Sequence, residues 1–397
     1  MWFLCAAAMA GPVFGEPGEP VFLPVGGNWA RAFPTETGWH FLFAAGGEYN
    51  LLPMTEDLVV QDVNRTRLTG HTDLKDNQIA PCPDGTYLHA GSADLETPAD
   101  TLYTFRYDAS FNLLQTATIA ERDATKRLND PAVVCGGPGK TWLGAVDEHF
   151  SSILYEVPED TTPPSAIAVP EFPFLQGGSL VYEAETDTLV AIGSGNGEPY
   201  YVRTGRDYVV GAKTSLGVAP EGLRAYWPQA VLRVDDMYLL AFMARDDAQN
   251  WSADTGNVFL AAFNLDWSLI EVIQVTDITP TEGAMRPSLA VKGDLLLVLY
   301  DRLTEMYITP IRLFPDGKTE DTGPGEDTGP TDSGAGDSGP GDSGTTDTDP
   351  PDTDPGGDTA TAAATGCAGC AVGGSGGMGA LASGVAAAVA LVRRRRR

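Results

Sequence analysis

Three arginines and four aspartates in this 397-residue chain have the types and the spacing to act together. Arg31, Arg224 and Arg286 each stand a few residues ahead of, or directly before, a proline that opens a short apolar run. Planar guanidinium groups aimed at one point clamp a carboxylate through paired N–H bonds. Asp130, Asp147, Asp246 and Asp301 stand beside comparable runs. Two carboxylates a few ångström apart serve as acid and base in glycoside hydrolysis. Plainer readings cover the same residues: arginines that neutralise an acidic face, aspartates that cap turns, or a structural Ca²⁺ held by the acids. Trp251, between Asn250 and Ser252 in a long polar segment, suits stacking on a sugar or gripping a partner. Cys82 and Cys135 end similar runs and would pair as a disulfide in an oxidising compartment, with two buried thiols as the alternative. His40, His71, His89 and His149 lack metal-ligand spacing, so no metal site and no cofactor are expected. His40 and His89 lie inside apolar runs and read as packed, hydrogen-bonded core residues.

The elements that must position these residues repeat. A turn followed by an apolar run returns about every fifty residues: Gly38 to Phe43, Gly85 to Ala90, Lys140 to Ala145, Asp187 to Ile192, Asp236 to Ala241 and Asp294 to Leu299. Upstream of each copy lies a run marked by Pro or Gly, at Phe33-Pro34, Ala80-Pro81, Asp130-Pro131, Gly177-Gly178, Trp227-Pro228 and Arg286-Pro287. Downstream comes another alternating run, such as Leu102 to Tyr107 or Val258 to Phe263, then a tight turn and a fourth run. Four antiparallel strands per repeat, six times over, is the plan of a six-bladed β-propeller, an all-β fold. Rings of five or seven blades are the alternatives. The sixth repeat stops at Leu313 without its fourth strand, while Pro20 to Val25 is a spare strand ahead of the first. The spare strand is expected to complete the last blade and close the ring.

In such a ring the first strand of each blade lines the channel, and the long polar loops share one face. That face is the expected site, because function concentrates on loops held by a rigid scaffold. The body resembles a β-propeller of no identified family. Gly-His and Trp-Asp pairs of the WD40 type are absent, and the kelch-like Ala45-Gly46-Gly47 occurs in one repeat. The three arginines are loosely similar to the arginine triad of six-bladed sialidases, which implies a Tyr nucleophile, with Tyr300 and Tyr307 available. Asn129-Asp130-Pro131 is similar to the Asp-Pro strand start of five-bladed glycoside hydrolases.

Composition sets the boundaries and the setting. Lys and Arg total 25 against 54 Asp and Glu, a net charge of −29, which excludes nucleic acid as a partner. A hydrophobic content of 43% is enough for a sizeable core. Residues 1–16 read as a truncated signal peptide, with a short apolar run ending at Ala8-Met9-Ala10 and no preceding Lys or Arg. Residues 17–314 are the propeller body. Residues 315–365 are nearly all Asp, Thr, Gly, Pro and Ser, a solvated disordered stalk with no core-forming side chains. Residues 366–397 run from Gly366-Cys367-Ala368-Gly369-Cys370 through an uncharged stretch to five terminal arginines, the pattern of an apolar helix with its end held on the cytoplasmic side.

This tail resembles the tripartite C-terminal sorting signal of myxobacterial surface proteins: a Gly-Cys motif, an apolar segment and an Arg cluster after an acidic stalk. The resemblance implies export, membrane contact through the tail, and cleavage and modification near Cys367 or Cys370, with delivery to the outer cell surface. Together these features lead to a monomeric surface propeller expected to bind a surface protein or a glycan without catalysis. A glycan-directed hydrolase is the alternative.

Overall fold

The apolar runs bounded by Gly and Asp turns form strands. In the computed structural model, 24 strands among the described residues assemble into six antiparallel four-stranded sheets. The structure describes residues 12–314, apart from 46–47, 62–63, 69–73, 95–99, 121–127, 138, 148–150, 159–164, 168, 170–171, 174–176, 247–255, 279–282 and 303–304. The signal segment before residue 12, the stalk, the tail with Cys367 and Cys370, and Trp251 therefore lie outside the described residues.

The first strand, β1, spans Val21–Gly26. Blade 1 is β2 (Asn28–Thr35), β3 (Gly38–Ala45), β4 (Glu48–Thr55) and β5 (Thr66–Arg67). Blade 2 is β6 (Leu74–Pro81), β7 (Tyr87–Asp94), β8 (Asp100–Tyr107) and β9 (Leu113–Ala120). Blade 3 is β10 (Leu128–Cys135), β11 (Thr141–Asp147), β12 (Ser152–Glu156) and β13 (Ser165–Ile167). Blade 4 is β14 (Ser179–Glu183), β15 (Thr188–Gly195), β16 (Glu198–Thr204) and β17 (Thr214–Ser215). Blade 5 is β18 (Arg224–Val234), β19 (Met237–Arg245), β20 (Asn257–Asn264) and β21 (Leu269–Gln274). Blade 6 takes β22 (Ala284–Lys292), β23 (Leu295–Arg302) and β24 (Glu305–Arg312) from the end of the body and β1 from its start.

The first strand of each blade packs on the first strand of the next, and β22 packs on β2, so the six sheets form a closed ring around an axis. This is a six-bladed β-propeller. Its interior is divided into six apolar seams, one between each pair of adjacent blades. The nearly continuous burial of β3, β15, β19 and β23 follows from that plan, since a strand sandwiched between two blades has no solvent face.

Closure occurs where the spare strand was expected to act. β1 pairs with β24 through Val21↔Ile308, Phe22↔Tyr307 and Leu23↔Met306, and Leu23 is fully buried in the seam between blades 6 and 1. The segment before β1 also belongs to the body. Val13 and Phe14 are buried between blades 5 and 6, and their backbone N–H groups donate to Glu271 Oε2 at 2.7 and 3.2 Å. The body thus takes in residues ahead of Pro17, where composition placed its start.

A second repeated device fastens the blades. In the turns between third and fourth strands, Leu58, Phe111, Tyr208 and Trp267 adopt the left-handed conformation. The N–H of each donates to the carbonyl three residues back, in Thr55, Asp108, Gly205 and Asn264. The turn aims an apolar side chain at the preceding blade. Trp267 Nε1 donates to Glu183 Oε1 of blade 4 at 2.9 Å, and Trp142 Nε1 of blade 3 donates to the Tyr208 hydroxyl at 3.1 Å.

Cys82, just after β6, and Cys135, at the end of β10, form a disulfide between blades 2 and 3 with Cα atoms 5.0 Å apart. The bond closes a loop of 53 residues, and its loss is expected to cost about 4 kcal/mol of stability through chain entropy. For a body of this size that is a fall of about 6 °C in Tm. Calorimetry of the Cys82→Ser/Cys135→Ser protein checks this; an unchanged midpoint would count against it.

Candidate functional site

At the loop-rich end, five inner strands begin with a bulge. The register shifts between Asn28 and Arg31, Leu74 and Asn77, Asn129 and Ala132, Tyr226 and Ala230, and Met285 and Ser288. Four of these bulges hold a non-glycine residue in the left-handed region: Trp29, Asp130, Trp227 and Arg286, with φ of 57°, 48°, 51° and 49°. Such conformations persist only where the surroundings over-determine them. Here the bulge residues lock on neighbouring blades. The Arg286 guanidinium lies over the Trp29 ring at 5.5 Å. Trp227 lies over Gly177, where a Cβ would sit 2.7 Å from its ring.

The three arginines do not form a clamp. Arg286 Nη1 donates to Asp301 Oδ2 of the same blade at 2.5 Å, because Asp301 sits opposite Met285 in the register of β22 with β23. Asp301 is 1% exposed. Arg31 was read as preceding its strand, but it is the fourth residue of β2, carried inside by the bulge. It is 6% exposed, and its Nη1 donates to the Ala30 carbonyl at 2.8 Å. Burial lowers the Arg31 pKa, opposed by its electrostatic interactions with Tyr49 and Asp301. Arg31 and Arg286 therefore share the neighbourhood of one acid. Arg224, the first residue of β18, is exposed and lies against Gly197 of blade 4, on the side of its blade away from Arg286.

The aspartates are also distributed differently from the expectation. Asp130 is half-buried in the bulge of β10, on an inner strand. Asp147 ends β11, Asp246 follows β19 and is exposed, and Asp301 lies in β23. These three belong to second strands, one step out from the axis, not to inner strands. Tyr300 is buried and pairs with the Thr309 hydroxyl at 3.3 Å, while the Tyr307 hydroxyl donates to Glu305 at 2.7 Å. Neither contact makes a nucleophile beside the arginines.

Beside Arg31 lie His89, expected in the core, and Tyr49, which no motif marks. His89 is fully buried and stacks on Tyr49 with ring centroids 4.4 Å apart. Burial, and then the Arg31 charge, push the His89 pKa down to about 3. Burial drives the Tyr49 hydroxyl upward, so both groups are neutral at ordinary pH. His89 is packed as expected, but among the described residues neither ring nitrogen has a hydrogen-bond partner.

Gln78 of β6 crosses the axis. Its Nε2 donates to the Gln229 carbonyl of blade 5 at 3.2 Å, and its Oε1 accepts from the Val133 N–H of blade 3 at 2.6 Å. Ser179 Oγ donates to the Pro228 carbonyl and Ser288 Oγ to the Ala30 carbonyl, each at 2.7 Å. This polar layer bounds a cavity of about 740 Å³ that runs along the axis toward the tight turns, away from the loop-rich face. Phe33, Ile79, Leu180, Val231 and Leu289 are among its walls, and Arg233 and Asp235 stand at its turn-face end. One glutamine after Lys75, Asp76 and Asn77 carries no signal that it will bridge opposite blades, so sequence reasoning missed this site.

No family model matches the chain, and no curated protein matches it. Among solved structures, the fold is similar to a protein of unknown function from Dyadobacter fermentans, with a TM-score of 0.53 and 12% identity over 76% of this chain and 100% of that one. Lower similarity links it to a triple arginine mutant of AofleA from Arthrobotrys oligospora, with a TM-score of 0.48 and 11% identity over 75% of this chain and 87% of that one. An alpha-L-arabinofuranosidase from Lactobacillus brevis gives a TM-score of 0.40 and 14% identity over 62% of this chain and 92% of that one. At these identities the likeness shows the propeller fold alone.

The neutral His89 makes stability depend on pH. Below pH 6.5 the unfolded chain protonates this residue, while the folded chain resists until about pH 3. Its contribution is therefore full above pH 6.5 and is lost on acidification, at up to about 1.4 kcal/mol per pH unit within that window. Denaturant unfolding across the window should show a shallower acid slope for His89→Phe than for the wild type.

Proposed function

We propose that this protein is a non-catalytic binding module, exported and held at the outer cell surface, that engages a surface protein or a glycan through its loop-rich face. The observation that carries the reading is the way charge is spent at that end of the channel. Arg286 is committed to Asp301, Arg31 lies buried beside the same acid, and Arg224 turns to blade 4. A hydrolase needs two carboxylates, or a tyrosine and an acid, facing substrate at one deep point. The axial cavity supports the same reading, because Asp235 at its turn-face end is the one carboxylate among its described lining residues.

Export to the surface rests on the signal-like start, the acidic stalk and the Gly-Cys, apolar and Arg tail. In cells that make the full chain, external protease should release the propeller from the wild type and spare it in Cys367→Ala/Cys370→Ala. Equal release from both would remove the tail from the argument.

The catalytic alternative is checked with the full chain against sialosides and neutral oligosaccharides. Release of sugar no faster than from Asp130→Asn/Asp301→Asn is expected. Turnover by the wild type that drops a hundredfold or more in that variant would overturn the binding-module reading.

A further inference from the structure

Five polar side chains of blades 1 and 2 project into the seam between them: Arg31 of β2, Tyr49 of β4, Asn77 of β6, His89 of β7 and Tyr107 of β8. Strand alternation puts them on that face. Trp29 and Phe33 flank Arg31, Leu51 follows Tyr49 by two residues, Ile79 follows Asn77, Tyr87 precedes His89, and Phe105 precedes Tyr107; all of these pack in the apolar cluster of the seam. Arg31 is 6% exposed and the other four polar residues are fully buried.

The polar atoms of this group are left over. Arg31 Nη2, the Tyr49 and Tyr107 hydroxyls, both amide atoms of Asn77 and both ring nitrogens of His89 have no hydrogen-bond partner among the described residues. Buried polar groups in folded proteins are nearly always bonded, to protein, to ordered water or to a bound ion. Such a concentration in one seam marks a place for an occupant. Gly91 stands opposite Asn77 in the register of β6 with β7 and puts no side chain into the space.

Charge and donor count select the occupant. Arg31 is the cation of the group, His89 and the two tyrosines are neutral, and the nearby Asp301 is already held by Arg286. Guanidinium, phenol, amide and imidazole N–H and O–H groups make the seam rich in donors. A metal ion beside Arg31 is disfavoured by repulsion, and the full burial of these polar atoms favours an occupant of few atoms. We propose that the seam between blades 1 and 2 binds a small monovalent anion, of chloride or formate size, on Arg31, Tyr49, Asn77 and His89. This site is independent of the loop-face function.

The test uses the full chain in sodium gluconate at fixed ionic strength, with chloride, bromide or formate replacing gluconate. The expected result is a saturable rise in thermal midpoint, about 4 °C at a hundredfold excess over Kd. Arg31→Met should fold, since Asp301 keeps its ion pair with Arg286, and should lose the response. Midpoints independent of the anion, or a response in Arg31→Met equal to the wild type, would overturn the proposal. A crystal of the wild type soaked in bromide gives a second readout that needs no variant. An anomalous peak within hydrogen-bond distance of Arg31 Nη2 supports the site; water there, or an adventitious ion only elsewhere, refutes it.

Discussion

The structure depends on one pairing, that of β1 with β24. A ring of sheets has no natural end, and a chain must join its two ends somewhere without leaving an open edge. Here the last blade takes three strands from the end of the body and its outermost strand from the beginning. Leu23 fills the seam between blades 6 and 1, while Val13 and Phe14 fill the seam between blades 5 and 6. Two of the six apolar seams are therefore completed by residues that precede the first blade. The contacts that close the ring are among the most distant in sequence, which places their formation late in folding on grounds of loop entropy.

Around the axis, the bulges at the start of the inner strands decide what the charged residues do. A bulge adds residues to one strand only, turns the local side chains and strengthens the twist. In blade 6 it sets Arg286 between Trp29 and Asp301, and in blade 1 it draws Arg31 into the interior. Charges so buried are costly unless paired, and Asp301 takes up Arg286, which would otherwise face a ligand. The channel is also divided across its width. Gln78 spans from blade 2 to blades 3 and 5, and the apolar cavity beyond it faces the tight turns. Beyond Gln78 the cavity walls are mainly apolar, with Arg233 and Asp235 at the turn-face end.

Much of the architecture is legible in the sequence. The six recurring runs, the missing fourth strand of the last repeat and the spare strand ahead of the first follow from local pattern. Outer strands were harder to see, because β5 and β17 are two residues long and β13 is three. The left-handed turn residues Phe111 and Trp267 stand in turns that the repeat pattern located, but nothing in the pattern tells that their rings bury against the blade before them. Arg31 was placed one step too early for a similar reason. A bulge leaves no mark in an apolar run, yet it changes which residues are inside.

By itself the sequence pointed to six blades over five or seven and to the strand that closes them, since both follow from periodicity counted along the chain, and it placed Cys82 and Cys135 at matching positions of adjacent repeats. Only the tertiary structure decided that Arg286 answers Asp301, that Arg31 sits beside His89 and Tyr49, and that Gln78 crosses the axis. Those pairings join different blades, or second and third strands to bulged first strands. Their partners are chosen by register and by the rotation of one blade against the next, quantities that emerge only when the ring is closed.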